Sequence, residues 1–177
     1  INRSTKIILG IIYLVVLTIL LYFLFSNFNY EDISSIKFIQ SNKEKINLLK
    51  NNNIFFLCFI FIVFSIVWCC MLGFGSPIAL IGGFIFGKWL GTLLTIFSLG
   101  TGALFLYLIG KFFLYNFLKE KFEKKFNYLE SIFLDKQLVS MILFRFFGAV
   151  PFFMQNLLPV IFNISLKNYY LGTIIGI

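Results

Sequence analysis

The sequence has 177 residues and no histidine. That removes the commonest general base and metal ligand. Charge is scarce too. Only 12% of residues are Asp, Glu, Lys or Arg, against roughly 25% in an average soluble domain. Acid is scarcer still, with none between Glu44 and Glu120. The three cysteines, Cys58, Cys69 and Cys70, lie in one apolar run. No second Cys pair or His completes a metal set, so they read as small apolar residues of a membrane helix. No nucleophile–base pair, metal set or cofactor motif is visible. The expectation is a protein that is not an enzyme and binds no cofactor or metal.

What is present is apolar. The chain is 60% hydrophobic and 20% aromatic, with a mean hydropathy of +0.95. An all-α, polytopic membrane protein is the class these values indicate. The net charge of +8 does not point to nucleic acid. The lysines sit in short connections between apolar runs, where they set topology and meet anionic lipid headgroups.

The order of segments supports a two-part reading. Residues 1–53 are expected to form an N-terminal anchor helix, over about 7–25, and an amphipathic polar connection. That connection is either one or two surface helices or a solvated loop. Residues 54–177 form the membrane domain. Only ten residues follow Lys167, against about 20 for a span, so the domain reads as truncated at its C-terminus. Within it, the apolar run 54–72 meets Gly-Phe-Gly-Ser-Pro at 73–77. Glycine and Pro77 interrupt helical continuation. The expectation is two arms, 54–72 and 79–86, turning at 73–77 as a re-entrant hairpin; an ordinary pair of helices joined by a tight loop is the alternative. A span over 90–110 follows, with Gly91, Thr95, Ser98 and Gly102 along one side, which permits close packing against another helix. Residues 111–136 carry Phe122, Phe126, Leu129 and Phe133 at helical spacing among lysines and acids. They read as an amphipathic helix on a membrane face.

The most informative stretch is 145–163, RFFGAVPFFMQNLLPVIFN. It is apolar enough for a bilayer, yet it carries an arginine, two prolines, a glycine and three amides. Pro151 and Pro159 each break or kink a helix. Carbonyls freed at membrane depth find no partner in lipid, so such backbone belongs inside protein or beside a water-filled cavity. An arginine there is functional by default, although snorkelling to an interface is the plain alternative for Arg145. The Gly-Ala-Val-Pro at 148–151 echoes Gly-Phe-Gly-Ser-Pro at 73–77. Paired interruptions of this kind mark inverted-repeat binding sites.

Three pieces of sequence carry a family resemblance. They are Pro77…Gly82-Gly83-Phe84-Ile85-Phe86-Gly87…Gly91, Tyr107-x-x-Gly110-Lys111, and Arg145…Pro151-Phe152…Asn156 with Ile164…Tyr169. In order and spacing they resemble the SNARE-associated Golgi protein family, the VTT-domain or DedA-like superfamily, over about residues 54–177. Gly148 stands where the family usually has its first proline, and Val160 stands where it usually has glycine. The missing membrane acids speak against proton coupling and favour the Golgi-vesicle-protein-like branch over classical DedA.

The resemblance implies two facing re-entrant helical hairpins packed in a transmembrane helix bundle. It implies movement of phospholipid or a lipid carrier between leaflets, with transport of a small polar or anionic solute, or a non-transporting assembly role, as alternatives. Arg145, Gln155, Asn156 and Lys111 are the expected substrate- or lipid-binding residues. Arg145 takes the phosphate, because a guanidinium binds it in a planar, bidentate way. Pro77, Gly82, Gly83, Gly87, Gly148, Pro151 and Pro159 are the expected hairpin residues. The expected partners are membrane lipids and a second copy of the chain, without nucleic acid. The expected location is a bacterial-type plasma membrane rather than an organelle membrane.

Overall fold

All regular elements among the described residues are helical. The structure is a computed structural model that describes residues 8, 10–13, 15, 18, 19, 22, 36–71, 74–147 and 150–177. The anchor expected over 7–25 lies largely outside the described residues, and those described within it are helical. The chain divides into two compact units, Ile1–Leu57 and Cys58–Ile177. The site described below lies wholly in the second.

Helix α1 (Ile36–Cys70) is kinked at Asn53, which leaves helical geometry. The Asn53 side chain accepts a hydrogen bond from the Phe56 N–H at 3.2 Å. It thereby caps a fresh helical start, the preferred use of Asn at a helix N-terminus. The 18 residues from Asn53 to Cys70 are long and apolar enough to cross a membrane.

Helix α2 (Gly75–Phe86) begins two residues before Pro77. The arm expected at 79–86 is therefore longer, and Pro77 lies in the first helical turn rather than in the preceding loop. A proline is tolerated there because the first turn's N–H groups have no intrahelical acceptor. The Trp68 indole N–H donates to the Phe74 carbonyl at 2.9 Å, tying the end of α1 to the start of α2. Gly87 alone joins α2 to α3 (Lys88–Asp135), with φ +79°, a region that side chains resist and glycine does not.

Helix α3 is a single helix of 48 residues. It replaces the separate span over 90–110 and surface helix over 111–136. Charge changes the solvent a helix prefers without ending it, and residues 111–135 contain no Gly or Pro to do so. Only the stretch Lys88–Phe113 is apolar enough to span. The small face of α3 is packed. A Cβ on Gly91 would overlap the Gly82 carbonyl oxygen, and one on Gly102 would fall 2.7 Å from Cys69 Cβ and 3.2 Å from Ile66 Cα. α2 and α1 thus approach α3 to backbone contact.

Helix α4 (Gln137–Phe146) follows after Lys136. A broken segment comes next, made of α5 (Phe152–Leu157) and a 3-10 turn (Leu158–Val160), before α6 (Leu166–Gly176). Asn163, at φ +49°, turns the chain toward α6, a conformation Asn accepts more readily than most residues. The Gln137 side-chain oxygen then accepts from the Ser165 N–H and the Asn168 amide, each at 3.1 Å, joining the starts of α4 and α6. Gly172 and Gly176, four apart, seat α6 on α4. Their added Cβ atoms would each fall 2.5 Å from Met141 Cβ and Arg145 Cβ. Phe133, near the end of α3, stacks on Phe162 with ring centroids 4.6 Å apart.

The second unit exposes large apolar side chains and buries a set of polar ones within its apolar core. Phe59, Phe64, Val67, Phe97 and Phe105 are exposed, whereas Arg145, Gln155, Asn156, Thr173, Ser65 and Ser98 are buried. An exposed apolar surface on this scale is costly in water and suits lipid.

Not every glycine is constrained. A Cβ on Gly83 meets nothing within 4 Å. Gly83→Ala is expected to hold or raise stability by about 0.5 kcal/mol through helix preference and reduced unfolded-state freedom. Thermal melting in detergent reads this directly.

Candidate functional site

The site is built around Arg145, on the last turn of α4. Its side chain is only 6% exposed. One terminal nitrogen donates to the Asn156 side-chain oxygen at 2.7 Å. The other donates to Tyr169 Oη at 3.1 Å and Thr173 Oγ1 at 2.9 Å. These partners come from α5 and α6, so one guanidinium ties three elements together. All three are neutral. The Arg145 Nε is buried and finds no acceptor among the described residues. The guanidinium carbon also lies 5.6 Å from the ring centroids of Phe152 and Tyr169, within cation–π range.

Asn156 is fully buried. Its amide N–H faces Cys69 Sγ at 3.7 Å, bringing α1 to the cluster. Tyr169 Oη lies 3.2 Å from the carbonyls of Ala103 and Asn156 and donates to one of them at a time. Its ring stacks on Tyr107, with centroids 4.3 Å apart. The Tyr107 hydroxyl donates to the Ile164 carbonyl at 2.7 Å. Tyr107→Phe leaves that carbonyl without this donor in a buried setting. The expected loss is about 1–2 kcal/mol of stability, read as a lowered melting midpoint with packing otherwise retained.

Arg145 borders a cavity of about 340 Å³, within the size range of small-ligand sites. Gly75, Ala79 and Gly83 of α2, spaced by four, form one wall, and Thr92 and Thr95 come from α3. Phe152 and Gln155 contribute from α5. The Gln155 amide donates to the Phe147 carbonyl at 3.0 Å, which satisfies a backbone group freed where α4 ends. Arg145 is the one charged side chain in the described lining.

The sequence candidates distribute unevenly. Arg145, Gln155 and Gly83 line the cavity, and Asn156 stands behind Arg145. Gly82 is buried at the α2–α3 crossing, Gly87 forms the turn, and Pro77 lies in the first turn of α2. Pro151 caps the start of α5, and Pro159 is buried in the 3-10 turn. Lys111 is half-buried on α3 and is not part of the cavity lining. It stands 16 residues beyond Thr95, about 24 Å along the helix axis. Gly148 lies outside the described residues. From sequence, Thr95 reads only as a small packing residue, and Thr173 has no assigned role.

Residues of the second and third sequence pieces meet here, since Tyr107, Arg145, Asn156 and Tyr169 share one buried cluster, and the first piece reaches the cavity through Gly83. A VTT-domain family model matches residues 74–177, which takes in every helix from α2 to α6. The chain belongs to the VTT-domain family. This is the domain of the SNARE-associated Golgi and DedA superfamily of membrane proteins. No curated protein and no solved structure matches the chain. The VTT domain thus contains all the described residues that line the cavity, Arg145 among them.

Proposed function

We infer that this VTT domain moves phospholipid, or a related lipid carrier, between membrane leaflets. The observation that carries this reading is a buried guanidinium with only neutral partners among the described residues, bordering a cavity walled in part by the short helices α2 and α5. A buried cation without a counter-charge is costly, and an anionic ligand supplies that charge. A lipid headgroup brings the anion on apolar chains, which the exposed Phe-rich surface of the same unit accommodates.

The short helices support a re-entrant arrangement. α2 has 12 residues and α5 has six. At 1.5 Å per residue these run about 18 and 9 Å, well short of a hydrocarbon core of about 30 Å. In this reading the α2 arm and the broken α5 segment enter the membrane without crossing it and face each other across the cavity. Arg145 holds the phosphate, Gln155 gives the lining a polar side chain, Asn156 holds Arg145 from behind, and Lys111 meets headgroups further along α3. The acid-free lining supports the Golgi-vesicle-protein-like branch. The location we propose is a bacterial-type plasma membrane.

The test is lipid scrambling by the purified protein in liposomes, read by chemical quenching of fluorescent lipid in the outer leaflet. Quenching beyond the outer-leaflet half supports the reading. Quenching that stops at half, with folded protein in the liposomes, overturns it. Uptake of a small anion by those same liposomes would then favour solute transport.

A further inference from the structure

Two buried polar atoms lack partners among the described residues, Arg145 Nε and Thr95 Oγ1. Both residues line the same cavity. Buried donors left unmade are rare and call for an explanation. Thr95 is notable because serine and threonine hydroxyls in helices usually bond the carbonyl four residues back. Thr92 does so to Lys88 at 2.5 Å, and Thr101 to Phe97 at 2.7 Å. Thr95 does not, although it is only 5% exposed. Its hydroxyl lies against Gly82, where an added Cβ would fall 2.5 Å from Oγ1. Glycine at 82 therefore leaves room for a hydroxyl that the helix itself does not use.

The charge inventory narrows what fits. The described lining holds one charged side chain, Arg145, and no acidic side chain. The nearest acids in sequence to the cavity residues of α2 and α3 are Glu44 and Glu120. A phosphodiester carries one negative charge, which a single guanidinium balances. A headgroup amine would bring a second, positive charge, with no acidic side chain in the described lining to receive it and Arg145 to repel it. A phosphate monoester would bring nearly two negative charges against one cation.

We propose that the cavity selects phosphodiester lipids with an uncharged headgroup alcohol and a net charge of −1, held by Arg145 Nε and the Thr95 hydroxyl. This rests on the lipid-moving reading and adds the substrate class and a second binding residue on α3. Thr95 donates to a phosphate oxygen, and its hydroxyl makes no hydrogen bond to the described residues.

The experiment compares fluorescent phosphatidylglycerol with fluorescent phosphatidylcholine in liposomes of one fixed composition containing the full chain. The phosphatidylglycerol probe is expected to move at least fivefold faster. Thr95→Val, which keeps the side-chain shape and removes the hydroxyl, is expected to lower its rate about tenfold, the scale of one charge-assisted hydrogen bond. Its melting midpoint is expected to hold or rise, and Thr95→Ser to restore the rate. Equal rates for the two lipids overturn the selectivity while leaving lipid movement intact. A Thr95→Val protein as fast as the parent overturns the role of Thr95. Movement of neither lipid, with folded protein, overturns the underlying reading instead. Uptake of inorganic phosphate in that last case would assign the anion to a soluble source.

Discussion

Arg145→Ala is expected to lower lipid movement at least tenfold while changing folding stability by no more than about 2 kcal/mol. The separation of the two effects follows from the local geometry. The parent side chain makes three hydrogen bonds, to Asn156, Tyr169 and Thr173. Two of those partners keep alternatives after truncation. Tyr169 Oη still faces the carbonyls of Ala103 and Asn156, and a helical threonine can turn to the carbonyl a turn behind it. Asn156 loses its charged donor, which costs about 1–3 kcal/mol when a buried group is left unsatisfied. Against this, truncation removes a buried cation and an Nε that have no counter-ion and no acceptor among the described residues, both of which oppose folding. The Cβ that packs on Gly176 is retained. The ligand's charge partner has no such substitute, because the described lining contains no second cation. Paired measurements of melting and lipid movement on one preparation check this.

The second large effect is structural. Gly91→Ala is expected to destabilise the fold by about 3 kcal/mol or more, the upper end of overpacking costs. The new Cβ would overlap the Gly82 carbonyl oxygen and lie 2.8 Å from its carbon and 3.1 Å from Gly83 Cα. These are backbone atoms, so no side chain can rotate away. α2 must move off α3, and Gly87 leaves a connection of one residue in which to do it. The same shift would move the Gly75–Ala79–Gly83 wall of the cavity, so lipid movement is expected to fall with stability. Gly83→Ala, one residue from Gly82, is the control, since its Cβ meets nothing within 4 Å. A melting comparison of the two alanine variants in one detergent decides the point. Equal midpoints would contradict the crossing described here.

Much of the site was legible because it violates local rules. An arginine, amides and prolines in an apolar run cannot all face lipid, so Arg145, Gln155 and Asn156 stood out without any structure. The resemblance added Tyr107 and Tyr169 as motif positions, and the structure adds their stacking and hydrogen bonds. Other features carried no such violation. Thr95 looked like one more small residue on a packed face, because whether a helical hydroxyl bonds its own backbone is not written in sequence. Gly172 and Gly176 have the spacing of a close helix contact, yet the last run drew attention only for its length. The continuity of α3 was hidden by a change in composition at Lys111. Sequence marks that change strongly, but a helix responds to Gly, Pro and caps rather than to polarity. Lys111 was drawn toward the site by its motif, and the axial rise of α3 carries it away.

Arg145 acts here as a planar, buried anion-binding group and does not merely reach for an interface. Arg145→Lys tests it most directly in the liposome lipid-movement assay, normalised to folded protein. An ammonium is a compact charge without the guanidinium's fixed fork. It cannot hold Asn156, Tyr169 and Thr173 while leaving an Nε–H free for the cavity. The account predicts a rate below about a tenth of the parent's, by the same charge-assisted hydrogen-bond scale. A lysine variant at the full parental rate would contradict it and return Arg145 to the role of a snorkelling cation.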